Sequence, residues 1–174
     1  MRYLTIVRHA KATAAASGAR DDERPLSGRG RRQCEELRAW ATDAAGFAPY
    51  GPVTALVSSA QRTRETFRRA FEGTPFVSAV VYSDLIYNGR RDVTAEDVLI
   101  DLAGVDPVTT SLLVVAHNPT VHELVASLAA TPASLVLDRG FPVGAAVVLA
   151  LRDDQPVGLA RYPVVAEFVP DGRL

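Results

Sequence analysis

Two arginines and two histidines of this chain stand where a sheet would bring them together. Arg8 and His9 follow the apolar run 3–7, Arg62 comes three residues after the run 55–59, and His117 follows the run 112–116. Each run is short, apolar and bounded by polar residues, the pattern of a buried strand. Ligands of open parallel sheets bind beyond the carboxyl ends of the strands. Three strands ending in this way would build one compact site for an anion. Neutral imidazole, with an unperturbed pKa of about 6.5, exists as a nucleophile at physiological pH. The expected chemistry is attack by His9 on a phosphorus atom while Arg8 holds the phosphoryl oxygens. A guanidinium fork matches two such oxygens, and Arg62 lies where the start of a helix already favours an anion. His117 would donate a hydrogen bond to a phosphoryl oxygen as charge develops. Every one of these residues also has an ordinary explanation: a solvated turn histidine, a surface arginine, a histidine packed at a strand–helix junction. Arg64, Arg68, Arg69 and His122 read as solvent-facing in that sense.

The elements that must position these groups alternate along the chain. After the strand 3–7 comes a polar and alanine-rich loop, 12–25. Ser27 is placed to cap the helix that follows, whose Cys34, Leu37, Trp40, Ala41 and Ala44 share one face, with Gly46 and Pro49 ending it. The strand 55–59 leads to a helix over 61–71, with Thr63, Phe67, Ala70 and Phe71 inward. Gly73-Thr74-Pro75 turns the chain into a strand over 76–82. A helix is expected over 94–103, opened by the capping pair Thr94 and Asp97 and closed by Gly104. After the strand 112–116, Asn118-Pro119 reads as an N-cap and first-turn proline for a helix burying Val121, Leu124, Val125 and Leu128. Strands over 145–151 and 158–165 close the chain as a hairpin. No linker or repeat interrupts the pattern, so residues 1–174 are expected to form a single α/β domain.

Composition removes several classes of function. The 174 residues carry 19 Lys and Arg against 20 Asp and Glu, a formal net charge of −1, so no nucleic-acid partner is expected. A single cysteine, Cys34, excludes an internal disulfide and a cysteine-rich metal site. The first apolar run is too short for a signal-peptide core, and no run approaches the ~20 residues of a membrane span. The expectation is a cytoplasmic protein with no membrane partner, and a monomer by default.

The sequence motifs go further. Arg8-His9-Ala10-Lys11 resembles the signature of the histidine phosphatase superfamily, the phosphoglycerate-mutase-like fold. The wider pattern is similar to the small SixA-type phosphohistidine phosphatases: Arg24-Pro25-Leu26-Ser27-Gly28-Arg29-Gly30 with Gln33, then Ser58-Ser59-Ala60-Gln61-Arg62-Thr63-Arg64-Glu65-Thr66. Val115-Ala116-His117-Asn118-Pro119 and Phe141-Pro142-Val143-Gly144-Ala145 continue it. The matching segments run in order from the first strand to about Ala145. This resemblance implies a three-layer domain with a mostly parallel central sheet of about six strands flanked by helices. It implies His9 as a nucleophile that becomes phosphohistidine, a phosphate pocket of Arg8, Arg62 and His117, hydrolysis by water, and neither metal nor other cofactor. Lys11 is a further candidate for binding or steering the anionic substrate.

One departure has a chemical consequence. Many members of the superfamily carry a glutamate or aspartate as general acid after the third strand, and here the comparable stretch is Leu85-Ile86-Tyr87-Asn88. Asp84 is the nearby candidate. An alkoxide that leaves without a proton forfeits roughly 10²–10⁴ in rate, whereas the imidazole of a phosphorylated histidine leaves readily once its other nitrogen is protonated. The favoured substrate is therefore a phosphohistidine-bearing protein. A phosphomonoester phosphatase using Asp84 or a loop carboxylate, and a slow phospho-ligand-binding module, are the alternatives. A mutase is disfavoured because the short chain shows no insertion to enclose a sugar or glycerate phosphate.

Overall fold

The runs that end at Arg8, Ser58 and Ala116 are strands lying side by side with their carboxyl ends at one edge. A computed structural model describes residues 2–43, 52–89, 91–105, 111–131, 133–152 and 155–171. Strands β1 (Arg2–Arg8), β2 (Val53–Ser58), β3 (Val77–Ser83), β4 (Ser111–Ala116), β5 (Ala146–Leu151) and β6 (Val164–Phe168) form one sheet. Its order is β3-β2-β4-β1-β5-β6. β4 pairs parallel with both β1 and β2, Arg8 standing opposite Ala116 and Val57 opposite Val115. β3 extends the parallel part, while β5 and β6 add antiparallel pairs at the other edge. The sheet is thus mixed and mostly parallel. Because β4 is central, the loops after β1 and β2 flank the one that carries His117.

Alternation within the strands divides the core between two faces, since successive side chains point to opposite sides. Leu4, Ile6, Leu56, Leu112 and Val114 pack with Val98 and Leu102 of α3 (Ala95–Val105) and with Val121 and Leu124 of α4 (Thr120–Leu128). Val7, Val57, Leu113 and Val115 pack on the other side with Leu37 of α1 (Gly28–Thr42) and Phe67 of α2 (Gln61–Ala70). At about 1.5–3 kcal/mol per fully buried large apolar side chain, these two layers give the strand ends a firm base. Among the described residues no helix is long and apolar enough to cross a membrane.

Local signals act mostly as expected. The Ser27 hydroxyl accepts from the Gly30 amide at 3.1 Å and caps α1. Asp97 accepts from the Thr94 amide at 2.9 Å while the Thr94 hydroxyl accepts from the Asp97 amide at 3.2 Å, closing the capping box of α3. Three expectations need correction, and one element was not expected. Gly104 lies inside α3, which runs on to Val105. Asn118 does not cap α4: its side-chain amide donates to the Gly140 carbonyl at 2.8 Å, and the helix starts after a cis Asn118–Pro119 bond. The last strand is Val164–Phe168 instead of 158–165, because Tyr162 leaves the sheet to exchange backbone bonds with Leu128 and Ala130. A short helix α5 (Ser134–Leu137), unmarked by periodicity, precedes Phe141. Ala44, Gly46 and Pro49 fall outside the described residues.

Candidate active site

The turn after β1 is gripped from four sides, and the residues that grip it are those of the scattered motifs. The His9 amide donates to the Ala116 carbonyl at 3.1 Å, and the Gly144 amide donates to the carbonyls of Arg8 and His9, each at 3.1 Å. The Ala10 amide donates to the Thr66 hydroxyl at 3.0 Å, and the Lys11 amide to the Gln33 side chain at 2.9 Å. Both the amide and the hydroxyl of Ser27 donate to the Lys11 carbonyl. Gly30 permits that approach: a Cβ there would stand 2.1 Å from the Lys11 carbonyl oxygen, far inside contact distance. The segment that holds His9 is fixed by side chains as firmly as a strand is by its ladder.

That grip also decides which nitrogen of His9 is free. Nδ1 lies 2.8 Å from the Ala10 carbonyl oxygen. A carbonyl only accepts, so Nδ1 carries the proton. The Nε2 lone pair is then the one left for the cavity that His9 lines. Burial, with help from the cations of Arg62, Arg8 and Arg24, lowers the His9 pKa to about 4. The ring is a neutral base at physiological pH, in a pocket that repels a proton and attracts an anion.

Each arginine has its own anchor. Arg8 donates from one terminal nitrogen to the Phe141 carbonyl at 2.7 Å. Phe141 is fully buried and holds φ 53°, a left-handed conformation unusual for a bulky residue. This conformation belongs to the turn that aims its carbonyl at the guanidinium. Arg62 is only 7% exposed. Its two terminal nitrogens donate to the Asp21 carbonyl at 2.7 Å and to the Asp21 carboxylate at 2.9 Å. The same carboxylate accepts from the Tyr87 hydroxyl at 2.9 Å and from Arg24 at 2.8 Å. Partial burial pushes the Asp21 pKa up, but the donors from Arg24, Tyr87 and Arg62 outweigh it and hold the carboxyl at about 2. Asp21 therefore ties the loop 12–25 to α2 and to the segment after β3.

His117 is 3% exposed, with its ring centroid 5.1 Å from that of His9. Nε2 is 2.8 Å from the Ser58 hydroxyl, and the buried Nδ1 has no hydrogen-bond partner among the described residues. Burial, then the neighbouring His9 and Arg62, hold its pKa well below the usual histidine range.

These groups line a cavity of about 350 Å³. Arg8, Lys11, Arg24, Arg62 and the two imidazoles contribute charge and hydrogen bonding, and Asn88, Asn118, Ala12 and Val143 complete the wall. None of the described lining residues is acidic. The structure thus brings together Arg8, His9, Lys11, Arg62 and His117. It leaves Asp84 out: that carboxylate is exposed and accepts from the Ser59 hydroxyl, and it is not part of the wall. Sequence reasoning gave no role to Asp21, Ser58, Tyr87 or Asn88, although Ser58 opens one of the matching motifs and Tyr87 and Asn88 lie in the stretch compared with the superfamily's general-acid segment. Asp21 heads the acidic triplet before Arg24-Pro25-Leu26, a signal that was present; nothing in the sequence joins Tyr87 or Asn88 to a particular residue far away in the chain. Among the described residues no group of three or more His, Cys, Asp or Glu could hold a metal ion. Four cations around one uncharged imidazole suit a tetrahedral oxyanion that offers an electrophilic centre.

Comparison with known proteins agrees with this geometry. No family model matches the chain. The uncharacterized protein Rv1276c of Mycobacterium tuberculosis is 32% identical over 148 residues, 82% of this chain and 85% of that one. Among solved structures, the proposed phosphohistidine phosphatase SixA of Agrobacterium tumefaciens superposes with a TM-score of 0.76 at 26% identity, over 97% of this chain and 99% of that one. The proposed SixA of Nakamurella multipartitia gives 0.74, also at 26%, over 98% and 96%. With the Arg-His segment closing β1, the sheet order and these SixA-like neighbours in agreement, the chain belongs to the histidine phosphatase superfamily.

Proposed function

We propose that the protein is a phosphatase that works through a covalent phosphohistidine on His9, with a phosphorylated histidine of a partner protein as its substrate. His9 Nε2 attacks phosphorus, the new N–P bond forms, and the substrate's P–N bond breaks with its electron pair returning to the departing imidazole. Arg8 and Arg62 hold the phosphoryl oxygens, and His117 hydrogen-bonds to one of them as charge shifts. Water then attacks the same phosphorus, the N–P bond to His9 breaks, and inorganic phosphate and a proton leave. The observation that carries this reading is the fixed tautomer of His9: with Nδ1 committed to Ala10, a neutral Nε2 remains for a cationic hollow.

The choice of an N–P substrate rests on the acids. Asp84 is not part of the cavity wall. Asp21, the carboxylate bound to Arg62, is held ionised down to a pH of about 2 and has no proton to give at neutral pH. A phosphoserine alkoxide would leave unprotonated, whereas an imidazole protonated on its far nitrogen needs no such help. The test mixes the protein with radiolabelled phosphohistidine peptide, quenches rapidly and locates the label. An acid-labile, base-stable phosphoryl group on His9 is expected, together with turnover of the phosphohistidine peptide at least ~10²-fold faster than that of a phosphoserine peptide. Equal rates on the two peptides would overturn the substrate assignment, and label on any other residue would overturn the mechanism.

A further inference from the structure

Next to the His9 cavity lies a larger hollow of about 550 Å³, lined by Pro25, Arg31, Gln61, Glu65, Arg68 and Arg69. The two are lined by chain neighbours: Arg24 and Arg62 line the first, and Pro25 and Gln61 line the second.

The charge of this second hollow is unbalanced. Its one acid among the described residues, Glu65, faces three arginines and accepts only from neutral donors, the Gln61 side chain at 2.8 Å and the Leu26 amide at 3.2 Å. Arg68 and Arg69 are exposed, and no carboxylate of the described residues pairs with them. Arg31 spends one terminal nitrogen on the Leu26 carbonyl at 3.0 Å. Folding accounts for part of this arrangement, since Arg68 and Arg69 stand in the last turn of α2, where the helix dipole welcomes cations. It does not account for Arg31, which stands with Arg29 and Arg32 at the start of α1, where no acidic residue of the first turn offsets the dipole. Its hydrogen bond to the neutral Leu26 carbonyl leaves its charge unpaired among the described residues. Arg68 also lines the neighbouring hollow with Arg64, and there Asp22 and Glu23 share the wall. An anion is therefore directed to the side that Arg68 shares with Arg31 and Arg69.

From this geometry we infer that the second hollow is a docking subsite for the carboxylate side chains that flank the phosphorylated histidine of an acidic partner protein. The inference rests on the phosphatase reading for its substrate, but its test does not depend on turnover. The arginines supply long-range attraction and register more than tight affinity, while the chain as a whole, with a formal net charge of −1, offers no general attraction to polyanions.

Two fluorescent peptides serve as probes, each bearing one unphosphorylated histidine, one flanked by glutamates and the other by serines. Fluorescence anisotropy on the full chain should show roughly tenfold tighter binding of the acidic peptide at low salt. The difference should vanish near ~1 M salt, where the screening length is ~3 Å. The pairs Arg68→Gln/Arg69→Gln and Arg68→Glu/Arg69→Glu should abolish the preference, and Arg68→Lys/Arg69→Lys should keep most of it. Hydrolysis of an aryl phosphate should be the same in all of these variants, which separates a lost docking site from a lost fold. Equal binding of the two peptides, a preference that survives both neutralisation and reversal, or tighter binding of a single-stranded RNA of equal charge would overturn the inference. Absence of aryl phosphate hydrolysis in the unaltered protein would overturn the role of His9 and leave the binding result standing on its own.

Discussion

The two imidazoles of the cavity are alike in charge and opposite in wiring. Both are held neutral by burial. His9 gives its Nδ1 proton to a backbone carbonyl, a partner that only accepts, so its tautomer is fixed and Nε2 is free. His117 is bonded through Nε2 to the Ser58 hydroxyl, which both donates and accepts, and its free nitrogen is Nδ1. The first ring is built to keep a lone pair, as a nucleophile must. The second can exchange donor and acceptor roles through a hydroxyl that rotates, as suits a group that stabilises changing charge. Two residues of one type thus serve different tasks because their hydrogen-bond partners differ in kind.

The sharpest way to break this contrast is to remove the fixed ring. His9→Ala should lower kcat/KM by at least ~10³ and abolish the trapped phosphoryl group. His117→Ala should cost less, about 10²–10³, and leave a phosphoenzyme that still forms slowly. Comparable losses with no label in either variant would show that the rings do not divide the work. The pH profile examines the same difference. Protonation of Nε2 removes the lone pair, and the His9 pKa lies near 4. The kcat/KM for an aryl phosphate, corrected for ionisation of the substrate, should therefore stay level from neutral pH to about 5 and fall about tenfold per unit below about 4. Stability follows the same sign. An unfolded histidine takes its proton near 6.5 and the folded His9 only near 4, so its contribution falls as the pH drops across that window. His9→Ala should flatten that part of a curve of Tm against pH.

A second comparison, between the strand-borne and the loop-borne parts of the site, explains what the sequence could disclose. Arg8, His9 and His117 follow short apolar runs with the pattern of buried strands, and the edge to which those strands deliver them follows from parallel pairing. Ser27, Gly30 and Gln33 were also visible as a motif, although their task, clamping the Lys11 backbone, appeared only when helix and turn were seen together. Asp21 and Tyr87 were not found. Their meeting depends on where the loop 12–25 and the segment after β3 fall in space, and no periodicity encodes that. Asn118 misled for a related reason: an Asn-Pro pair is a good cap by local chemistry, but the Gly140 carbonyl claimed its side chain. Local preference decided the elements; long-range partners decided the loops.

The loop-borne part is open to a milder perturbation. Asp21→Asn keeps the shape and removes the charge that holds Arg62, Arg24 and the Tyr87 hydroxyl in place. A charge-assisted hydrogen bond contributes about 1.5–3 kcal/mol, so kcat/KM should fall about 10- to 100-fold. The loss should appear mainly in KM, because Asp21 positions the phosphate-binding arginine without touching the nucleophile. Tyr87→Phe, which removes one donor to the same carboxylate, should follow in the same direction by a smaller factor. A rise in activity for Asp21→Asn would mean instead that the carboxylate competes with substrate for Arg62.

The smallest effect is expected at Asp84, and it bears on the substrate more than its size suggests. Its carboxylate is exposed and is bonded to the Ser59 hydroxyl, outside the cavity wall. Exposed polar contacts of this kind contribute little, about 0–1 kcal/mol. Asp84→Asn should therefore leave both kcat and KM within about twofold for aryl phosphate and for phosphohistidine peptide alike. If Asp84 instead delivered a proton to the leaving group, the substitution would separate the two substrates. Turnover of a phosphomonoester with a poor leaving group would collapse by roughly 10²–10⁴ while the phosphohistidine peptide was spared. That split would move the protein towards the monoester phosphatases, because the cavity's lack of an acid would then be made good from outside its wall.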